Sequence, residues 1–278
     1  MWPRFLLIAI CLAITACAQR PQAPFIDAHS HYTANDTRHF SASDIIAKLD
    51  QAGVTRTVIS GSPWTLARDL HAHAPQRIIP LLGFYDNFAD KSRWMHDLDL
   101  PAQVAAHLTQ APWAGIGELH LFAQDAHSPV FAQLVQLAHA HNLMLLIHGD
   151  PEVVTRAFEL APKVRVLWAH LGTVPEPAII KHMLTLHAQQ ALWIDTSVRD
   201  DRIAPGGVLL PEWRQLFETH PHRFVVAIDT FSAHRWGRYT QVANDIRRWV
   251  STLPPGLQER MLWRNAEDLF EPWLATQP

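Results

Sequence analysis

Cysteine is almost missing from this chain. Among 278 residues only Cys11 and Cys17 carry a thiol, and both lie near the amino terminus. The rest of the protein has no disulfide available and must rely on its core. Glycine is sparse at 11 residues. No G-x-G-x-x-G fingerprint follows the first strand-like run, which counts against an open, dinucleotide-binding sheet. Charge is scarce as well. Charged residues make up 18% of the chain, the net charge is −3, and there is no basic run or basic–aromatic stripe to meet nucleic acid. No apolar run approaches the ~20 residues that span a bilayer. Internal repeats, low-complexity tracts and long linkers are also missing.

The first segment present reads as a leader. Met1-Trp2-Pro3-Arg4 carries one positive charge, residues 5–14 are apolar, and Ile14-Thr15-Ala16-Cys17 has the form of a bacterial lipobox. On this reading residues 1–16 are a signal peptide, Cys17 is lipidated, and 17–24 form a short tether. The expected location is then periplasm-facing, on the outer membrane of a bacterium, with the lipid as the only membrane contact. The alternative is an ordinary secretory signal cut near Ala16 or Ala18.

Residues 25–278 fit one large domain. Strand-like apolar runs are expected at 25–31, 55–60, 77–84, 115–121, 143–148, 164–170, 192–196 and 224–229. Between them, 42–52, 130–141, 151–160, 176–188 and 212–220 place apolar residues at three- and four-residue spacings, as helices do. Eight such alternations predict a single-domain (β/α)8 TIM barrel, whose usual length is ~250 residues.

In such a barrel, functional groups sit at the carboxyl ends of strands. The first run ends Asp27-Ala28-His29-Ser30-His31, with Asp27, His29 and His31 on one strand face. In a chain with 18 histidines such a pair also arises by chance, as two interior imidazoles bonded to Asp27. Further polar residues at the ends of apolar runs argue otherwise: Glu118, His148, His170 and Asp229. Such residues are out of place there without a partner. Four imidazoles and two carboxylates suit zinc, with manganese, iron or cobalt as options, as one ion or two. A divalent ion brings the pKa of bound water to near ~7, so hydroxide is available at neutral pH. Asp229 is the expected general base and acid, and Asp27 a group that orients an imidazole from behind. His71, His73, His139, His141, His182 and His187 fall in helical stretches and read as surface residues. The loops after the strands offer Trp64, Tyr85, Asn87, His120, Arg199, Arg202, His234 and Arg235. Of these, Tyr85, His120, Arg199 and His234 are the expected contacts to a small-molecule substrate.

With these residues in place, the chain resembles the amidohydrolase superfamily over its whole mature length, and most closely its "amidohydrolase 2" branch. The late Asn265-Ala266-Glu267-Asp268-Leu269-Phe270 is similar to a signature of that branch. The resemblance implies that His29 and His31 bind the more buried metal, that His148 and His170 bind a second, and that Asp229 touches metal and hydroxide. Where many relatives carry a carboxylated lysine, this chain has Glu118, implying a glutamate bridge between two metals. The implied function is metal-dependent hydrolysis of a small ester, lactone, amide or phosphoester. The alternatives are a mononuclear decarboxylase of the same branch and a non-catalytic, lipid-anchored binding protein.

Overall fold

Runs such as Leu143-Met144-Leu145-Leu146-Ile147 are apolar at every position, as a strand must be when one face meets the barrel interior and the other a helix. In the computed structural model, which describes residues 23–277, all eight expected runs form strands: β1 (Ile26–Thr33), β2 (Arg56–Ser62), β3 (Ile78–Leu82), β4 (Gly115–Leu121), β5 (Met144–Gly149), β6 (Arg165–Trp168), β7 (Leu192–Asp195) and β8 (Phe224–Val225). They pair in parallel and in sequence order. The architecture is the single-domain (β/α)8 barrel that the alternation predicts. The leader, Cys17 and most of the 17–24 tether lie outside the described residues. Among the described residues, no helix is long and apolar enough to cross a membrane.

Strand β8 is shorter than expected. Its ladder with β7 ends at Val225, and the chain then leans on β1 to close the ring. Ala28 N–H donates to Val226 O (3.1 Å), and Asp229 N–H donates to His29 O (2.7 Å). Asp27 Oδ1 accepts from Ile228 N–H (2.8 Å). The other oxygen of this fully buried carboxylate accepts from Ser30 Oγ (2.6 Å), Thr57 Oγ1 (2.9 Å) and Tyr239 Oη (2.8 Å). Asp27 therefore clamps the backbone of β1 and β8 and does not touch an imidazole ring, contrary to the role expected of it. A register shift between Asp27 and Ser30 carries the strand past that clamp.

Outward strand faces pack on helices through residues such as Ile59, Leu145, Val166 and Ile194. Inward residues, among them Val58, Leu81, Leu146 and Leu167, fill the barrel with Leu269 and Phe270 of the last helix, Asn265–Leu274. That helix closes the amino end of the barrel. Asn265 donates to Pro221 O (2.9 Å) and Phe224 O (2.8 Å), and Arg165 donates to Leu269 O (2.9 Å). Four prolines sit at helix starts: Pro129, Pro151, Pro177 and Pro211 each open one, where the missing N–H costs nothing. Two of the helical histidines are not surface residues. His71 and His187 are buried; the first bonds Ile78 O through Nδ1 (2.8 Å), the second Thr155 Oγ1 through Nε2 (3.1 Å).

Candidate metal centre at the carboxyl ends of the strands

With the floor sealed by the last helix, the open end of the barrel holds a cavity of about 740 Å3. At its base lies Glu118, nearly fully buried, ringed by five imidazoles. Its Oε1 lies 3.0 Å from His148 Nδ1, 3.2 Å from His170 Nε2 and 3.6 Å from His29 Nε2. Its Oε2 lies 3.3 Å from His31 Nε2 and 3.4 Å from His120 Nε2. Asp229 Oδ1 is 3.3 Å from His31 Nε2, and Oδ2 is 3.9 Å from His170 Nε2. The strand tips thus bring together His29, His31, Glu118, His148, His170 and Asp229.

Local backbone geometry aims these groups. Asn142 aside, the non-glycine residues of positive φ among those described are His170 (61°), Leu171 (57°), Val198 (52°) and Asp229 (56°). Each costs on the order of 1–3 kcal/mol and persists only where its surroundings hold it. The apolar pattern predicts β6 through His170, but the strand stops at Trp168 and His170 sits in the turn beyond it. Arg199 pins that turn, with Nε donating to His170 O (3.0 Å) and Nη2 to Gly172 O (3.4 Å). Thr230 ties the other side, its Oγ1 accepting from His31 N–H (2.9 Å) and donating to His31 O (2.8 Å). Before Glu118, Gly117 lies at φ 145°, where an added Cβ would come within 2.7 Å of Leu146 O. Only glycine lets β4 approach β5 this closely.

The group that orients the imidazoles is Asp195, which the sequence reading did not single out. It is fully buried at the end of β7. Its Oδ2 accepts from His29 Nδ1 (3.0 Å). Its Oδ1 accepts from the backbone N–H of His170 (3.1 Å) and Ser197 (2.9 Å) and from Ser197 Oγ (2.5 Å). Because the Ser197 proton is committed to Asp195, Ser197 Oγ accepts from His170 Nδ1 at 2.8 Å. Both His29 and His170 therefore carry a proton on Nδ1 and aim Nε2 toward Glu118. The signal for Asp195 was present, since Leu192-Trp193-Ile194-Asp195 is another apolar run ending in a carboxylate.

Electrostatics agree. Burial would push Glu118 upward, but His120, His29 and the hydrogen bonds from His148 and His170 hold it well below the usual carboxylate range. Burial likewise opposes Asp229, and His29, His31 and His170 lower it. Burial would pull His29 down; Glu118, Asp195 and Asp229 reverse this and hold it well above the usual histidine range. His120 goes the other way: burial, helped by Lys91 and nearby imidazoles, outweighs Glu118 and lowers it to about 3. The cluster draws positive charge to its inner side. Asp229 Oδ1 is buried without an aligned hydrogen-bond donor, and His29 Nε2 faces His31 Nε2 across 3.1 Å. Lone pairs meeting in a dry site require a proton or a cation between them. The nitrogen and oxygen donors fit a divalent transition ion.

The expected substrate contacts divide. Tyr85, Asn87, His120 and Arg199 line the cavity, while Trp64, Arg202, His234 and Arg235 are not among its lining residues. Tyr85 Oη accepts from His120 N–H (2.9 Å), so it supports His120. Arg199 spends Nε and Nη2 on the His170 turn. His234 is exposed on the short helix Ala233–Gly237, outside the cavity wall. That helix opens at Ser232, whose Oγ caps it by accepting from Arg235 N–H (3.3 Å). Lys91 also lines the cavity, and nothing in its loop sequence marked it out.

Solved structures share this architecture at low identity. A probable 2-pyrone-4,6-dicarboxylic acid hydrolase from Acinetobacter baumannii, crystallised with citric acid, has a TM-score of 0.59 at 15% identity, over 89% of this chain and 99% of its own. A zinc-bound amidohydrolase from Burkholderia multivorans has a TM-score of 0.60 at 14% identity, over 90% and 99%. The 2,6-dihydroxybenzoate decarboxylase from Rhizobium has 0.58 at 9%, over 90% and 99%. Identities this low establish a common fold. No family model and no curated protein sequence matches the chain.

Proposed function

We propose that this chain is a metal-dependent hydrolase acting on a small ester, lactone, amide or phosphoester. The observation that carries this reading is the commitment of His29 Nδ1 to Asp195 and of His170 Nδ1 to Ser197, which aims both Nε2 atoms toward His31, Glu118 and Asp229 in a buried site. Those five residues would hold the first cation. A divalent ion there supplies Lewis acidity toward the substrate oxygen and makes water a nucleophile near neutral pH.

The chain's own residues do the rest. Asp229 accepts the proton of the attacking water and returns it to the leaving group. Asp195 and Ser197 keep His29 and His170 from rotating or exchanging tautomers. Tyr85 and Phe231 add aromatic surface to the cavity wall above the site. A decarboxylase reading draws support from the Rhizobium neighbour, and carbon dioxide release instead of hydrolysed product would favour it.

Purified full-length chain is expected to hold about one or more equivalents of zinc, manganese, iron or cobalt. A panel of lactones, esters, phosphoesters and dipeptides should reveal a turnover that chelation lowers by at least about 100-fold and added Zn(II) restores. Substoichiometric metal together with chelator-insensitive turnover would reject the proposal.

The location is a separate inference. Residues 14–17 support lipidation at Cys17 and display of the barrel on the periplasmic side of a bacterial membrane. Cells fed labelled palmitate should label the wild-type protein, and Cys17→Ser should lose the label; equal labelling of both would rule it out.

A further inference from the structure

We propose that Glu118, His120 and His148 form a second cation position on the cavity side of the first, and that Lys91 competes with the cation for the Nε2 lone pair of His120. This rests on the metal-dependent reading above. The family pattern would pair His148 with His170, but the geometry divides the histidines differently. His170 belongs to the inner set: its ring stacks on His29 (5.0 Å between centroids, 27°), and its Nδ1 is committed to Ser197. His148 stacks on His120 (4.5 Å, 24°) and meets His170 only edge-on (4.8 Å, 73°). Ligand atoms of Glu118, His120 and His148 lie within 4.8 Å of one another, as do those of His29, Glu118 and His170. Glu118 is common to both sets: its Oε1 faces His148, His170 and His29, and its Oε2 faces His31 and His120.

His120 is held for this task. Its backbone N–H donates to Tyr85 Oη (2.9 Å), and its carbonyl accepts from Trp94 Nε1 (2.9 Å). Two neighbours on the β3–β4 connection therefore fix its backbone, while its ring Nδ1 is buried without a hydrogen-bond partner. Lys91 Nζ lies 3.1 Å from His120 Nε2. An ammonium only donates, so Nε2 is the acceptor and its lone pair already faces a positive charge. Among the described residues no carboxylate lies within ion-pair distance of Lys91. A metal ion and this ammonium cannot both use one lone pair. The position is more accessible at His148, whose side chain is 29% exposed against 0% for His29 and 5% for His170, while His120 and the inner His31 are both 13% exposed. The inner cation is therefore the tight one and the outer the exchangeable one.

The test is calorimetric titration of metal-stripped full-length chain with Zn(II), paired with Co(II) absorption spectra. Wild type should take up metal in two steps, tight then weak. His120→Ala should abolish the weak step and its absorption band while leaving the tight step. Lys91→Met, a change on a cavity-side loop, should tighten the weak step by about tenfold, the scale of one charged hydrogen-bond partner. Two steps that survive His120→Ala, or a weak step indifferent to Lys91→Met, would overturn the second position. A single tight step in wild type would do the same while leaving the hydrolase reading intact; no step at all would overturn both.

Discussion

Asp229→Asn should lower kcat by about 10²–10⁴-fold, the range that a positioned proton-transfer group contributes, with little change in stability. The substitution isolates chemistry from architecture. Asparagine matches the shape of aspartate and is one of the few residues that accept the left-handed backbone found at Asp229. The backbone bond from residue 229 to His29 O, which helps close the barrel, needs only the main chain and survives. What disappears is the basic oxygen aimed into the site and its negative charge beside His31. Zinc content measured with kcat separates the two: retained metal with lost turnover marks proton transfer, whereas proportional loss of both marks a ligand alone. A loss below about tenfold with full metal content would remove Asp229 from the catalytic role.

Much of this centre is legible in the sequence because of one physical rule. Where a run is apolar on both faces, its last residue reaches the barrel mouth, and a histidine or carboxylate there has no structural reason to be present. That rule finds Glu118, His148, His170 and Asp229, and it applies equally to Asp195. The eight strands emerge for the same reason. Among the helices, Tyr239–Val250 is absent from the expected set although Tyr239, Val242, Ala243, Ile246, Trp249 and Val250 trace its buried face. His71 and His187 mislead because histidine reads as polar. His71 lies four residues after Ala67 on the inward side of a short helix, where a carbonyl satisfies its nitrogen.

Other features depend on distances no linear pattern contains. Strand alternation places Asp27 on the face of His29, yet the irregularity in β1 and the arrival of Ile228 and Tyr239 turn its carboxylate into a clamp. The end of β8 is set by which neighbour its backbone follows after Val225, a property of ring closure. Lys91 comes from a connection whose sequence carries no periodic signal. Its approach to His120, and the sorting of five imidazoles around two oxygens, exist only once the barrel has closed.

Asp195 is where structure and function are coupled most tightly, and two substitutions should separate them. Asp195→Ala removes four accepted hydrogen bonds and leaves the donors of His29, His170 and Ser197 buried and unmatched. Breaking a buried charged network in this way costs about 3–5 kcal/mol, which in a chain of this size lowers Tm by roughly 10 °C. Asp195→Asn keeps the volume and one acceptor oxygen. That oxygen can still serve the backbone N–H groups and Ser197, but the new NH2 then faces His29 Nδ1. Two donors cannot bond each other, so His29 must move its proton to Nε2, and the lone pair aimed at Glu118 is lost. Metal affinity should fall by about 10–100-fold, the cost of losing an orienting partner behind a ligand, while Tm falls much less than in the alanine variant. Calorimetric Zn(II) titration beside thermal unfolding reads both quantities. Unchanged zinc affinity in a folded Asp195→Asn protein would mean that the tautomer of His29 is not what prepares the site.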